Sequence, residues 1–139
     1  MKYEFFDSPV HGVGCVSTQD INKGDIVSTE PYFMFTKDNR ENAKSVFKDY
    51  YWTVENTTFI INGIGCYSNH SDNNNIEPIF DFIDGKINSK YIKFIAIKDI
   101  KKGEELFVNY GKGYWNWRTN NRNNNQAPKQ NNGMFFFNY

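Results

Sequence analysis

Two short segments of this chain pair chemically useful residue types at permissive spacings. "HGVGCVS" (His11–Ser17) sets glycines at 12 and 14 on either side of Val13. Glycine removes the side chain where a ligand could lie against the main chain. "GIGCYSNHSDNNN" (Gly63–Asn75) carries Asn69-His70-Ser71 just before a run of asparagines. An amide offers donors and an acceptor without the desolvation cost of a charge. A loop-capping Asn is the competing reading of the same triplet. Together the segments also supply His11, Cys15, Cys66 and His70, a set that tetrahedral zinc could take. Against zinc, Cys15 falls in a stretch that reads as a strand facing the core, so no metal is assigned. Asp72, Asn74 and Asp81 make only a weak calcium pattern, because no glycine follows at the turn such a loop needs. A dinucleotide-binding fingerprint fails for "GVGCVS", which lacks a third glycine and a following helix.

The elements that must position these residues are mostly strands. Apolar and β-prone pieces alternate with turn residues through the first 35 positions, predicting strands near Tyr3–Phe6, Gly14–Thr18 and Asp25–Phe35. Asn39 to Tyr51 is the best helix candidate, with Ala43, Val46, Phe47 and Tyr50 recurring at three- and four-residue spacing. A strand at Thr58–Asn62 leads into the Asn-His segment. Two strands about an Asp84-Gly85 turn follow, then a hairpin over Lys98 to Asn109. "QDINKGDIV" and "KDIKKGEEL" share one frame, Asp-Ile-x-Lys-Gly-acidic, read either as a common tight turn with positive φ at Gly24 or Gly103 or as two related hairpins that organise one small β-fold. From Arg118 the text is Asn-rich and of low complexity, which predicts disorder ending in the apolar "MFFFNY". The division is therefore a domain over 1–117 and a tail over 118–139.

Taken with "AIKDIKKGEELFVNYGKGYW" near the end, these segments resemble the SET-domain protein lysine methyltransferases. The order and spacing of the motifs match over roughly Tyr3 to Trp115, and look most like the minimal viral type, which lacks accessory zinc-binding segments. The resemblance implies a mostly-β, β-clip-like fold of small curved sheets with short helices and a threaded C-terminal segment. The chain after Gly103 would pass beside the Asn69 loop. It implies S-adenosylmethionine as methyl donor, bound by Gly12, Val13, Gly14, Asn69, His70, Tyr110 and Trp115. It also claims His70 for the donor site, a further argument against zinc. Tyr110 matches the family's catalytic tyrosine. Tyr50, Tyr67 and Val108 would line the substrate channel, with Tyr51 an equal candidate to Tyr50 by pattern.

The assigned chemistry is demanding. A free lysine has a pKa of about 10.4, yet only its neutral amine can attack a sulfonium methyl. The site must therefore accept a deprotonated lysine, aim its lone pair and keep water out. A phenol suits this by hydrogen bonding near the changing charge, and water can take the final proton. Several positions depart from the family's Arg-Phe-x-Asn-His-Ser-Cys-x-Pro-Asn. The Arg is missing, Asp72 replaces the cysteine, and Asn109 stands where Asp is commoner. With no Cys in the tail, the family's C-terminal zinc cluster has no ligands. Val108 is smaller than the Phe or Tyr that many members carry there, which leaves the number of methyls open. These departures motivate a second reading, a non-catalytic SET-fold module that binds a protein partner.

Composition bounds the partners. Sixteen basic and sixteen acidic residues cancel, so no global positive field draws this chain to nucleic acid or an anionic membrane. The first ten residues are too mixed for a signal peptide, and no apolar run approaches membrane-spanning length. Two cysteines fit a reducing interior. The expectation is an intracellular protein, at chromatin if its substrate is a histone tail. Glu77, Asp81 and Asp84 punctuate "IEPIFDFID" and suit a basic peptide, with Glu77, Asp81 and Ile83 expected on one strand face. The resemblance to the minimal viral members further implies a homodimer.

Overall fold

A computed structural model of the chain describes residues 1–35, 50–54 and 57–111, with the backbone of 135–137. Residues 39–49 of the helix expected over 39–51, Trp115, and the Asn-rich tail apart from 135–137 lie outside the described residues. Within them, strand dominates: β1 (Tyr3–Asp7), β2 (Val13–Ser17), β3 (Ile26–Phe35), β4 (Tyr51–Val54) and β5 (Thr57–Ile61) precede a single-turn helix α1 (Ile64–Tyr67). Then come β6 (Asn69–His70), β7 (Ile76–Ile79), β8 (Phe82–Ile83), β9 (Lys86–Ile87), β10 (Tyr91–Ala96), β11 (Glu105–Val108) and β12 (Phe135–Phe137). No helix among the described residues is long and apolar enough to cross a membrane.

The strands form a four-stranded sheet ordered β1-β2-β11-β6, a six-stranded sheet ordered β12-β4-β5-β3-β10-β7, and the small β8-β9 ribbon. The core lies where the sheets meet. Trp52, Phe59, Ile61, Ile64, Ile92, Phe94 and Leu106 are fully buried. Each such side chain contributes about 1.5–3 kcal/mol on leaving water. Trp52 also donates its Nε1–H to Gly65 O at 2.9 Å, which ties β4 to the turn that leads into β6 and meets the rule that a buried indole N–H finds an acceptor.

The two strands expected about the Asp84-Gly85 turn are present: β7 and β10 pair antiparallel around it, with the short β8-β9 ribbon at its tip. Two expectations need correction. Tyr51, taken as the last residue of a helix, opens β4, because its backbone pairs with Ile60 of β5. Lys98–Asn109 is not a hairpin on itself: Ile100 bridges to Ile21, and β11 pairs with β2 and β6.

That last difference gives the repeated Lys-Gly frame its meaning. Ile21 and Ile100 exchange both backbone hydrogen bonds at 2.8 Å. Asp20 accepts from Lys102 N–H at 2.8 Å, and Asp99 accepts from Lys23 N–H at 2.9 Å. The two turns therefore clasp each other reciprocally, with Gly24 and Gly103 at the expected positive φ of 91° and 88°. The clasp sets the start of β11, and β11 in turn places its neighbours β2 and β6 on either side.

Candidate active site

β11 is the shared wall. Its first half pairs antiparallel with β2, through Glu105 against Val16 and Leu106 against Cys15. Its second half pairs parallel with β6, through Phe107 against Asn69 and Val108 against His70. β6 has only two residues, too few to hold itself in a sheet. Asn75 extends the pairing: its Oδ1 accepts from Phe107 N–H at 2.8 Å and its Nδ2 donates to Glu105 O at 2.9 Å. Ser71 N–H adds a bond to Val108 O at 3.0 Å. The last residue of the asparagine run is thus a structural fastener, 8% exposed.

Asn69 is buried and fully committed on its donor side. Its Nδ2 gives one hydrogen to His11 O at 2.9 Å and the other to Glu105 Oε2 at 2.9 Å. The second carboxylate oxygen, Glu105 Oε1, accepts from Ser8 Oγ at 2.7 Å. Ser8 Oγ itself accepts from Val10 N–H at 3.0 Å and His11 N–H at 3.4 Å. One carboxylate therefore joins the loop before Gly12 to the Asn-His segment. Gly14 abuts both: a Cβ there would stand 2.9 Å from Glu105 Oε2 and 3.1 Å from Asn69 Nδ2. The absence of a side chain at 14 is what lets the groups meet.

His70 carries the arrangement to Tyr110. Its Nδ1 accepts from Tyr110 N–H at 2.9 Å, so the neutral ring bears its hydrogen on Nε2, which faces Asp72 Oδ1 at 2.9 Å. Burial holds this imidazole below its usual pKa, with Asp72 pulling the other way, which keeps Nδ1 free to accept. The two rings lie 4.9 Å apart. Tyr110 is 3% exposed, and its hydroxyl donates to Ser68 O at 3.4 Å. The phenol thus sits against the backbone just before Asn69.

Of the other residues singled out, Gly12 and Val13 are exposed on the loop and at the start of β2, and Gly12 has a φ of 47°. Tyr67 is 39% exposed and packs against Phe5 at 5.2 Å and Tyr50 at 6.4 Å between ring centroids. Val108 is buried in the main core cluster. Tyr51 is buried in a small cluster with Ile60, flanked by Phe35 and Cys66, and its hydroxyl has no hydrogen-bond partner among the described residues. Among the described residues, no three or more His, Cys, Asp or Glu side chains come together as a metal-binding group. Burial pushes the Cys15 thiol up to about 12 and the Cys66 thiol to about 11. Glu77 and Ile79 are exposed along β7, but β7 stops at Ile79, so Asp81 and Ile83 do not continue its face.

Sequence reasoning missed Glu105, Ser8 and Asn75. Glu105 follows an exposed Glu104, and nothing in "GEEL" says which acid turns inward. The alternation of β11, with Leu106 and Val108 buried, sends residue 105 to the opposite face, toward the loop and Asn69.

Comparison with known proteins fits this geometry. Residues 12–111 match the SET domain, from the first glycine of the loop to the glycine after Tyr110. The chain belongs to the SET-domain family. A curated relative, histone-lysine N-methyltransferase EZH2 of Chaetomium thermophilum, is 44% identical over 57 residues, 41% of this chain. This chain spans only 4% of that relative's length. Among solved structures, Polycomb Repressive Complex 2 from the same organism, in an autoinhibited conformation bound to S-adenosylmethionine, superposes with a TM-score of 0.65 at 25% identity. That match covers 86% of this SET domain's chain and 17% of the other. A Plasmodium falciparum protein described as a candidate histone methyltransferase shares the fold, with a TM-score of 0.64 at 24% identity over 82% of this chain and 96% of its own. The mostly-β SET fold expected from the motifs is the fold observed. The narrower likeness to the minimal viral members rests on the sequence motifs.

Proposed function

We propose that this SET domain is an S-adenosylmethionine-dependent protein-lysine N-methyltransferase acting on a histone tail. The observation that carries the reading is the bonded junction at Asn69, where His11, Glu105 and the Gly14 backbone converge one residue before the imidazole that holds Tyr110. When bound, S-adenosylmethionine supplies an electrophilic methyl on a sulfonium. The residues present fit it: Gly12 and Gly14 open the backbone, and a Cβ on Gly14 would close the gap beside Asn69. No group among the described residues donates to Asn69 Oδ1, which suits a ligand ammonium.

The rest of the work falls to this chain's own side chains. The Tyr110 oxygen offers lone pairs to a lysine N–H while its own hydrogen stays on Ser68 O. It thus orients a neutral amine without placing a negative charge beside it. The lysine must be deprotonated before it attacks, its proton passing to water. Tyr50 and Tyr67 pack with tilted rings, 6.4 Å between centroids, and would flank the incoming side chain. Exposed Glu77, Asp81 and Asp84 supply negative charge for a basic peptide. The EZH2 relative is named for histone lysine, and a histone substrate would place this chain at chromatin. The homodimer belongs to the same proposal, carried by the likeness to the minimal viral members.

The test is incubation with labelled methyl donor and core histones, repeated with Tyr110→Phe. Label should appear with the native chain and fall by about 10²-fold or more without the hydroxyl. Donor binding by calorimetry with no label from either protein would favour the non-catalytic binding module instead.

A further inference from the structure

We propose that Glu105 is a positioning residue that fixes the polarity of the Asn69 amide, and so makes the donor site select for a ligand ammonium. The inference rests on the donor-binding reading above and adds a residue that the reading does not use.

The argument follows from what each partner can do. A carboxylate and a backbone carbonyl only accept hydrogen bonds. Asn69 meets one of each, Glu105 Oε2 and His11 O, both at 2.9 Å. Both amide hydrogens are thereby assigned, and turning the amide over would bring its oxygen against two acceptors at once. The amide is locked with Oδ1 as its one polar atom that no described residue bonds. Glu105 controls both contacts. It makes the first directly. It governs the second through Ser8, whose Oγ binds Glu105 Oε1 and gathers the N–H groups of Val10 and His11. Loss of Glu105 would loosen the loop that carries His11 O.

A glutamine of the same size would behave differently. Its Nε2 could donate to Asn69 Oδ1, so only His11 O would still hold the amide against turning over and presenting donors to the ligand. The carboxylate's charge would also vanish from beside Gly14, where no side chain intervenes. Both changes weaken preference for a cation and leave packing nearly intact.

The measurement is calorimetric affinity for two probes, S-adenosylhomocysteine and its analogue lacking the α-amino group. Native protein should favour the amino-bearing probe by at least about tenfold, and Glu105→Gln should bring that ratio close to one. Ser8→Ala, which leaves the Glu105–Asn69 bond in place, should keep most of the native ratio. A merely structural role for Glu105 would weaken both probes equally, and that result overturns the proposal. So does a native protein that binds both probes alike, a result that stands even if Glu105→Gln does not fold. Native protein that binds neither probe overturns the donor-site reading along with this one, whereas equal binding of both leaves that reading intact.

Discussion

Asn69→Asp is the sharpest perturbation of the site, because it exchanges one NH2 for an oxygen and so turns a donor into an acceptor. The amide nitrogen that now donates to Glu105 Oε2 at 2.9 Å becomes a carboxylate oxygen facing a carboxylate. At an effective dielectric of about 20, two unit charges about 3 Å apart repel by about 6 kcal/mol. The folded protein has a cheaper escape, which is to share one proton between the two acids. Holding a proton at pH 7 on a group of ordinary pKa near 4 costs about 1.4 kcal/mol per pH unit, or about 4 kcal/mol. That sets the ceiling of the electrostatic penalty. The sign follows from linkage. The pair's folded pKa lies above the unfolded value, so between about pH 4 and pH 7 the folded state binds more protons and stability falls as pH rises. The penalty should therefore shrink by about 1.4 kcal/mol for each unit of acidification and nearly vanish by about pH 4. Urea unfolding of native and variant chains, followed by circular dichroism at several pH values, reads this directly. A loss under about 1 kcal/mol at pH 7, or a gap that does not change with pH, would show that Glu105 does not hold the amide.

Two stability predictions probe the frame around the site. Gly63→Ala should cost about 2–4 kcal/mol, read as a lower thermal midpoint, since φ is 57° and the new methyl would lie 2.3 Å from Glu30 Oε2 and 2.4 Å from Tyr3 Oη; an unchanged midpoint would contradict the packing there. Tyr51→Phe removes a buried hydroxyl with no partner among the described residues and should leave stability unchanged or raise it by about 1 kcal/mol, while a clear loss in urea titration would mean that the oxygen is bonded in solution.

The Gly63 contact also explains how the Asn-His segment is aimed. Tyr3 Oη donates to buried Glu30 Oε1 at 2.7 Å, and Ser28 Oγ donates to the same oxygen. Burial, and then Glu30, raise the Tyr3 phenol well above its usual pKa, so it stays a donor. This pair fills the space under Gly63, and α1 starts from there and delivers Ser68 and Asn69 to the floor of the site. None of it is local in sequence, since Tyr3, Glu30 and Gly63 come from three separate elements.

The sequence by itself determined which residue types were available and most of the strands, because alternation and turn residues are local signals. Tyr3, Val13–Ser17 and the run from Ile26 to Phe35 fall where their own periodicity put them, and the order of the glycine, Asn-His and tyrosine motifs was enough to indicate the SET fold. What only the tertiary structure decided was pairing. The shared Lys-Gly frames allowed two tight turns or two related hairpins, and only the fold shows that Asp20 and Asp99 exchange caps between them. The arm before β11 was expected to fold on its own hairpin, but it joins Ile21 instead. Asn75 looked like part of a compositional excess until β11 came within reach of its amide. Glu105, which unites the loop, Asn69 and Gly14, was indistinguishable from Glu104 along the chain. The physical reason is common to all four: a hydrogen bond between residues dozens of positions apart depends on which strands lie side by side, and burial of the whole core, not any local propensity, selects that arrangement.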